Sequence, residues 1–523
     1  MHSSNIRLSS LNWKSVSLVM ITHLIVWFCA VIQMICHNEK EFSLLLVSLD
    51  GFRWDFHLRT DTPNFHKIIK QGVYAKDGLT NVFVTNTLPN HWSMVTGLFV
   101  ENHGVMDNFI KDPNITTPFI PKFENQHHEN DPKYYDAGAE PIWVANQLQK
   151  QNGRSGSIMW WGGDNPVKWV RPTLHMSYNE EILFQSRVDT MVSWFKAAHP
   201  INLGLLYFHE PDLTAHKFGP NSSEVINQIK YLDSAIGYLL SKFEENDLLD
   251  DVNIIITSDH GFTDVSATKT IKLNEILESS DYTILNSGTT SLSTTSIFPA
   301  EGHLEEIYKK LKAASEIQNV FKVYKRHEIP EEYHYKNNLR APPILVVPEL
   351  GYSFTTNVSS FHLAGNHGYD NKNQEMHPIF LAMGPSFKQG FSVESFSSVD
   401  IYPLMCHLLK LQPAPNNGSM KIVGQLLSEG HETTMWTFGT YILVLIVIAS
   451  VGGIFTVAAC RHHRYFKRRI LQLRLSPVQA TIKYSTPPTG GAKASLLSGE
   501  EDDDDFDDAH DDDKMLEIVA EKW

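Results

Sequence analysis

Four places in this 523-residue chain offer side chains that bind divalent cations. Asp212 and His216 stand four apart, which puts both on one face if that turn is helical. Asp259 and His260 are adjacent, His367 lies in the glycine-flanked run Gly365-Asn-His-Gly-Tyr369, and Asp50 precedes Gly51-Phe-Arg53. Each histidine alone is more often structural, and each carboxylate is more often a helix cap or turn former. The set, rather than any member, points to a metal. Asp and His donors in a chain with four cysteines suit zinc, or a similar divalent ion, better than calcium or a thiolate site.

The elements that must position these residues are readable from hydrophobic pattern. Phe42 to Leu49 ends at Asp50, Leu203 to Phe208 runs into His209-Glu210-Pro211-Asp212, and Val252 to Ser258 ends at Asp259-His260. Continuous rather than alternating apolar runs predict strands buried on both faces of a mostly parallel sheet. Helical patterns lie between them, at Phe184 to Ala198 and Ser223 to Asn246. The expected class is therefore α/β, a mostly parallel sheet flanked by helices. In such sheets ligands bind beyond the carboxyl ends of the strands, where these acids fall.

Two apolar segments set the expected topology. Val16 to Ile35, after Arg7 and Lys14, reads as a signal peptide or an uncleaved signal anchor within residues 1–36. Thr433 to Cys460 carries no charge for 28 residues and is followed by Arg461-His-His-Arg-Tyr-Phe-Lys-Arg-Arg469. That predicts a transmembrane helix over 436–460 with a cytosolic C-terminal flank. Residues 40–425 are then an extracellular domain, and 461–523 a cytosolic tail, basic and then acidic. The expected location is the cell membrane, single-pass type I, or two-pass if the signal segment is retained. The net charge of −15 is uninformative about substrate, because Glu500 to Trp523 holds thirteen acids and two lysines. That tail has the composition of a disordered segment and is a candidate for a cytosolic partner. Sequons at Asn114, Asn221, Asn357 and Asn417 are candidate glycosylation sites. Only Cys406 lies in the central region, so no disulfide framework is implied. Cys460, at the membrane edge, is a candidate for palmitoylation.

Seven motifs in order resemble the ectonucleotide pyrophosphatase/phosphodiesterase family, within the alkaline phosphatase superfamily. They are Val47-Ser-Leu-Asp50-Gly-Phe-Arg53, Asn86-Thr-Leu-Pro-Asn-His91, Val95-Thr-Gly-Leu98, Glu101-Asn-His-Gly104, Glu210-Pro-Asp212-x-x-x-His216-x-x-Gly-Pro220, Thr257-Ser-Asp-His-Gly261 and Gly365-Asn-His-Gly-Tyr-Asp370. The resemblance spans roughly residues 42 to 420 and implies an alkaline-phosphatase-like fold. It also implies two zinc ions, one held by Asp212, His216 and His367, the other by Asp50, Asp259, His260 and the Thr87 oxygen. Thr87 is then the nucleophile, and Asn108 holds a phosphate oxygen. A metal would supply the hydroxyl at neutral pH as a competent nucleophile, giving a phospho-threonine intermediate.

Leu88 and Leu174 fall where nucleotide-hydrolysing relatives place aromatic residues on the base, so both are expected to line the substrate site. Stacking of that kind contributes on the order of 1–3 kcal/mol per base. Asn86 stands where relatives often have lysine or threonine. The expected activity is zinc-dependent cleavage of phosphodiester or pyrophosphate bonds in extracellular nucleotides such as NAD, releasing a nucleoside monophosphate. No binding of nucleic-acid polymers is expected. Two alternatives are a phosphodiesterase for lysophospholipid or choline-phosphate headgroups, suggested by the two leucines, and a catalytically weak surface adhesion or receptor protein.

Overall fold

The computed structural model describes residues 40–118, 132–285, 291–356, 363–428 and 433–474. The expected signal segment, the sequon Asn357 and the acidic tail lie outside the described residues. Two units result, Met1–Glu429 and Gly430–Trp523.

In the first unit the apolar runs become the centre of an eight-stranded sheet. Its strands are β1 (Ser43–Leu49), β2 (Val73–Ala75), β3 (Ser155–Ile158), β4 (Leu174–Met176), β5 (Leu203–Phe208), β6 (Val252–Thr257), β7 (Phe380–Met383) and β8 (Phe391–Val393). Their spatial order is β8-β2-β7-β6-β1-β5-β3-β4. Only β7 runs against its neighbours; the other pairings are parallel, giving a mixed sheet that is mostly parallel. Strands β5 and β6 are buried along their whole length, and β1 from its second residue, as two covered faces require. Register aligns the strand ends. Ser48 pairs with both Tyr207 and Thr257, so β1, β5 and β6 end level at one edge.

A second, four-stranded antiparallel sheet pairs Tyr282–Thr283, Thr295–Pro299, Ile344–Pro348 and Phe321–Lys325 in that order. It has its own apolar cluster, including Ile297, Ile307, Leu311, Val323, Val346 and Phe354. No periodicity read from the sequence announced it, because its strands are short and separated by long connections.

The helices in the first unit include α1 (Pro63–Gln71), α2 (Thr87–Thr96), α3 (Asp212–Phe218) and α4 (Ser223–Glu245). In the second unit Thr433–Arg474 is one helix. Among the described residues no helix is long and apolar enough to cross a membrane. Much of the uncharged run from Thr433 to Cys460 has side chains outside those residues, so the membrane-spanning expectation rests on the run itself.

Helix α1 shows how tertiary contact replaces local capping. Its N-cap Thr62 makes no side-chain cap. Instead Asp233, buried on α4, accepts from the Asn64 and Phe65 N–H groups at 2.9 Å each and from Asn64 Nδ2 at 2.8 Å. A carboxylate at a helix N-terminus also meets the positive end of the dipole. Replacing Asp233 with alanine strands these donors, and a loss of about 2–3 kcal/mol is expected. Asp233→Asn should recover part of it. Urea unfolding of both variants measures the difference.

Candidate metal centre and substrate cleft

The level ends of β1, β5 and β6 deliver Asp50, Asp212 and Asp259-His260 to one place. Gly51, with φ +68°, turns the chain sharply after Asp50. A Cβ there would stand 3.0 Å from the Phe262 ring and 3.2 Å from the Asp212 backbone, so glycine permits the approach. The Gly51 N–H donates to Asp259 Oδ1 at 3.1 Å, and the Asp212 N–H to the Asp50 carbonyl at 3.1 Å. Asp212 opens α3 and His216 closes its first turn, as their spacing predicted. Gly365–Asn366 pairs with Thr263–Asp264, which fixes His367 beside the segment that carries His260.

The three metal-candidate histidines share one arrangement. Nδ1 of His216 donates to Gly365 O, Nδ1 of His260 to Gly261 O, and Nδ1 of His367 to Thr85 O, each at 3.0 Å. A carbonyl only accepts, so each Nδ1 carries the proton and each Nε2 presents a lone pair. Those lone pairs face acceptors. His260 Nε2 lies 3.2 Å from Asp259 Oδ2 and 3.4 Å from Asp50 Oδ1. Asp212 Oδ1 lies 3.4 Å from His216 Nε2 and 3.5 Å from His367 Nε2. Asp50 Oδ1, Asp212 Oδ1 and Asp259 Oδ2 are buried and accept no hydrogen bond among the described residues. Buried acceptors facing acceptors are repulsive unless a cation lies among them. The donor set thus fits a metal centre on its own chemistry.

Two candidate groups can be drawn, Asp50, Asp259, His260 and Asp212, His260, His367. His260 stands in both, stacked on His367 with ring centroids 3.6 Å apart. Electrostatics agree with the geometry. Burial, then the Asp259 and Asp212 charges, push the Asp50 carboxyl well above its usual range. Burial and the Asp259 charge do the same to Asp212. Burial lowers His260 and His367 well below the ordinary value and His216 to about 4, so all three are neutral at pH 7, the form that can ligate a metal.

Thr87 is the first residue of α2, buried, with its Oγ1 3.4 Å from His260 Nε2. In this first turn Pro89 has no N–H and the Leu88 N–H is given to Asn108, so the Thr87 N–H and the helix dipole are what favour an anion there. Asn108 Oδ1 accepts the Leu88 N–H at 2.8 Å, which directs Asn108 Nδ2 to the cleft.

A cleft of about 270 Å³ surrounds these groups, near the lower end for small-ligand sites. Neither Leu88 nor Leu174 lines it. Leu88 is fully buried in the main core, because the second position of α2 turns away from the Thr87 side. Leu174 sits on edge strand β4, packed against the same core. The lining includes the rings of Trp161, Tyr178, Tyr207, His209 and Phe109, together with other leucines, Leu213, Leu292 and Leu363. Trp161, Tyr178 and Tyr207 contact one another at ring separations of 5.6 to 6.3 Å. Leu88 and Leu174, expected to line the substrate site, are thus not among the residues that line this cleft.

Sequence reading also missed two residues that hold the ligands. Tyr207 donates to Asp50 Oδ2 at 2.5 Å from the neighbouring strand. His91, one helical turn after Thr87, bonds the Thr87 carbonyl at 2.8 Å and Ser48 Oγ at 2.9 Å, with Asp259 Oδ2 3.4 Å away. The four-residue spacing from Thr87 to His91 was the available signal; Tyr207 gave none. Of the candidate glycosylation sites, Asn114, Asn221 and Asn417 are exposed. Cys406 is buried and Cys460 exposed.

The family profile for type I phosphodiesterase/nucleotide pyrophosphatase matches residues 44–370. Human ectonucleotide pyrophosphatase/phosphodiesterase family member 5 is 42% identical over 386 residues, 74% of this chain and 78% of that protein. Mouse bis(5'-adenosyl)-triphosphatase enpp4 is 36% identical over 434 residues, 82% of this chain and 91% of that protein. A solved structure of murine ectonucleotide pyrophosphatase/phosphodiesterase 5, an inactive threonine-to-alanine variant in complex with AMP, superposes with a TM-score of 0.70. It is 42% identical and covers 74% of this chain and 100% of that one.

Because Tyr207 holds an Asp50 oxygen, Tyr207→Phe should weaken metal binding by about 10- to 100-fold. Titrating zinc into chelator-stripped wild type and variant gives the affinities. Equal affinities would show that the Tyr207 hydroxyl does not orient the ligand.

Proposed function

From the premise that this chain belongs to the type I phosphodiesterase/nucleotide pyrophosphatase family and is an enzyme of that class, we propose that it hydrolyses dinucleotides such as NAD at the pyrophosphate bond. One product is a nucleoside monophosphate. The observation that carries this reading is the convergence of three unpartnered carboxylate oxygens and three imidazole lone pairs beside Thr87 Oγ1. The set suits two zinc ions, one with Asp212, His216 and His367, the other with Asp50, Asp259, His260 and Thr87. When bound, such ions lower the pKa of the hydroxyl and offset charge on the phosphate.

The chain's own residues account for the rest. Thr87 Oγ1, having lost its proton, attacks phosphorus; the bond to the leaving half breaks and a phospho-threonine forms. Water then attacks the same phosphorus and restores Thr87. Asn108 Nδ2 and the Thr87 backbone N–H are the donors available to the non-bridging oxygens. Half-buried Tyr178, backed by Trp161 and Tyr207, offers a ring for a base. The relative in which threonine is replaced is described as inactive and holds AMP, which supports Thr87 as nucleophile and a nucleoside monophosphate as product here.

The lysophospholipid alternative drew its motive from Leu88 and Leu174, and the core burial of Leu88 and the edge-strand place of Leu174 remove that motive. A metal kept only for stability leaves unexplained why the ligands surround a hydroxyl at a helix N-terminus. We also read the enzyme as membrane-anchored with its cleft outside the cell, on the strength of the uncharged run and its basic flank.

Incubation of the purified, zinc-loaded protein with NAD should release AMP. Thr87→Ala should lower that rate by at least 10³-fold, and Asn108→Ala by about 10²-fold, as for loss of one oxyanion donor. Chelation should abolish turnover and added zinc restore it. No AMP from any dinucleotide would falsify the proposal.

A further inference from the structure

Asp107 has no part in the chemistry above, yet it stands in the cleft wall. Its Oδ1 accepts from Asn86 Nδ2 and from the Asn108 N–H, both at 2.6 Å. One oxygen therefore ties the residue preceding the nucleophile to the residue that reaches for phosphate. Both donors are neutral. The nearby cations are committed elsewhere: Arg340 pairs with Asp112 at 2.6 Å, and Lys111 lies over the Phe298 ring. Among the described residues lining the cleft none is lysine or arginine, and the acids are Asp50, Asp107 and Asp212. Asp50 and Asp212 belong to the metal set. Burial raises the Asp107 carboxyl to about 6, so at pH 7 it is still mostly ionised, and no lysine or arginine of the lining offsets that charge.

Neighbouring contacts hold that arrangement rigid. With Nδ2 given to Asp107, Asn86 Oδ1 faces Gly368, whose φ is +88°. A Cβ on Gly368 would stand 2.6 Å from Asn86 Oδ1 and 2.2 Å from Ser293 Oγ. The lining also includes Ser291, Leu292, Ser293, Thr294 and Asn366, all uncharged. Further phosphate groups would thus meet hydroxyls and amides, with a carboxylate close behind and no cation. In a low-dielectric cleft such a charge acts over several ångströms.

We propose that Asp107 is a specificity-determining residue whose uncompensated carboxylate disfavours ligands carrying phosphate charge beyond the scissile group. The preferred substrates are then diesters and dinucleotides whose leaving half bears little net negative charge, and nucleoside polyphosphates are poor ones. This rests on the reading of the cleft as a nucleotide phosphodiesterase site.

Binding of AMP and of its α,β-methylene diphosphate analogue to the zinc-loaded protein tests it without turnover. Wild type should gain no affinity from the second phosphate. Asp107→Asn keeps an acceptor for both hydrogen bonds but removes the charge, and should shift the preference toward the diphosphate by about tenfold. Asp107→Ser, which also loses the bonds, should bind both ligands more weakly yet show the same shift in ratio. A ratio unchanged within twofold in both variants overturns the proposal, as does equal weakening of both ligands, the signature of a purely structural role. Failure of the broader reading shows separately, as absence of AMP release from NAD by wild type.

Discussion

Three carboxylates buried within a few ångströms of one another repel, and three neutral imidazoles that turn lone pairs toward them add to the strain. That is the state of Asp50, Asp212 and Asp259 with His216, His260 and His367. A cation at the centre, or a proton taken up by Asp50 or Asp212, relieves it, so much of the surrounding structure holds acceptors where they would not gather unaided. The Nδ1 bonds to Gly365, Gly261 and Thr85 carbonyls fix the ring tautomers. The Tyr207 hydroxyl and the Gly51 amide fix carboxylate orientation. Such contacts hold the candidate ligands in a geometry suited to a cation.

The sheet supplies that rigidity. Parallel pairing with level strand ends puts loops from residues 50, 209–212 and 258–260 at one edge, and the buried apolar strands beneath them cannot slip without turning their side chains out of the core. The second sheet contributes a wall rather than ligands. The loop from Ser291 to Thr294, running into its strand Thr295–Pro299, lines the cleft together with Trp161, Tyr178 and Tyr207.

Much of this was legible in the chain of residues. Strand cores at Leu203–Phe208 and Val252–Thr257 follow from unbroken apolar runs, and the helix from Ser223 to Glu245 from its periodicity. Asp212 and His216 are recognisable as a pair because a four-residue spacing has one meaning in a helix. The site walls were not legible. Leu88 adjoins the nucleophile in sequence, but helical geometry rotates neighbours by roughly 100°, and it ends in the core. Leu174 lies near aromatic residues in sequence, yet strand pairing with Ser155–Ile158 carries it to the sheet edge and leaves Tyr178 in the cleft.

By itself the sequence determined the chemical types available, their order, and the strand ends and turns that carry them, since these depend on local pattern. It named the six metal-candidate side chains, and its resemblance to a known family added Thr87 and Asn108. Tertiary structure alone decided which groups face one another: His260 toward both Asp50 and Asp259, Tyr207 on Asp50, Asp107 on Asn86. The last two relations join residues 157 and 21 positions apart. Side-chain direction and close approach at such separations are set by packing and register, for which no short stretch of sequence holds the information.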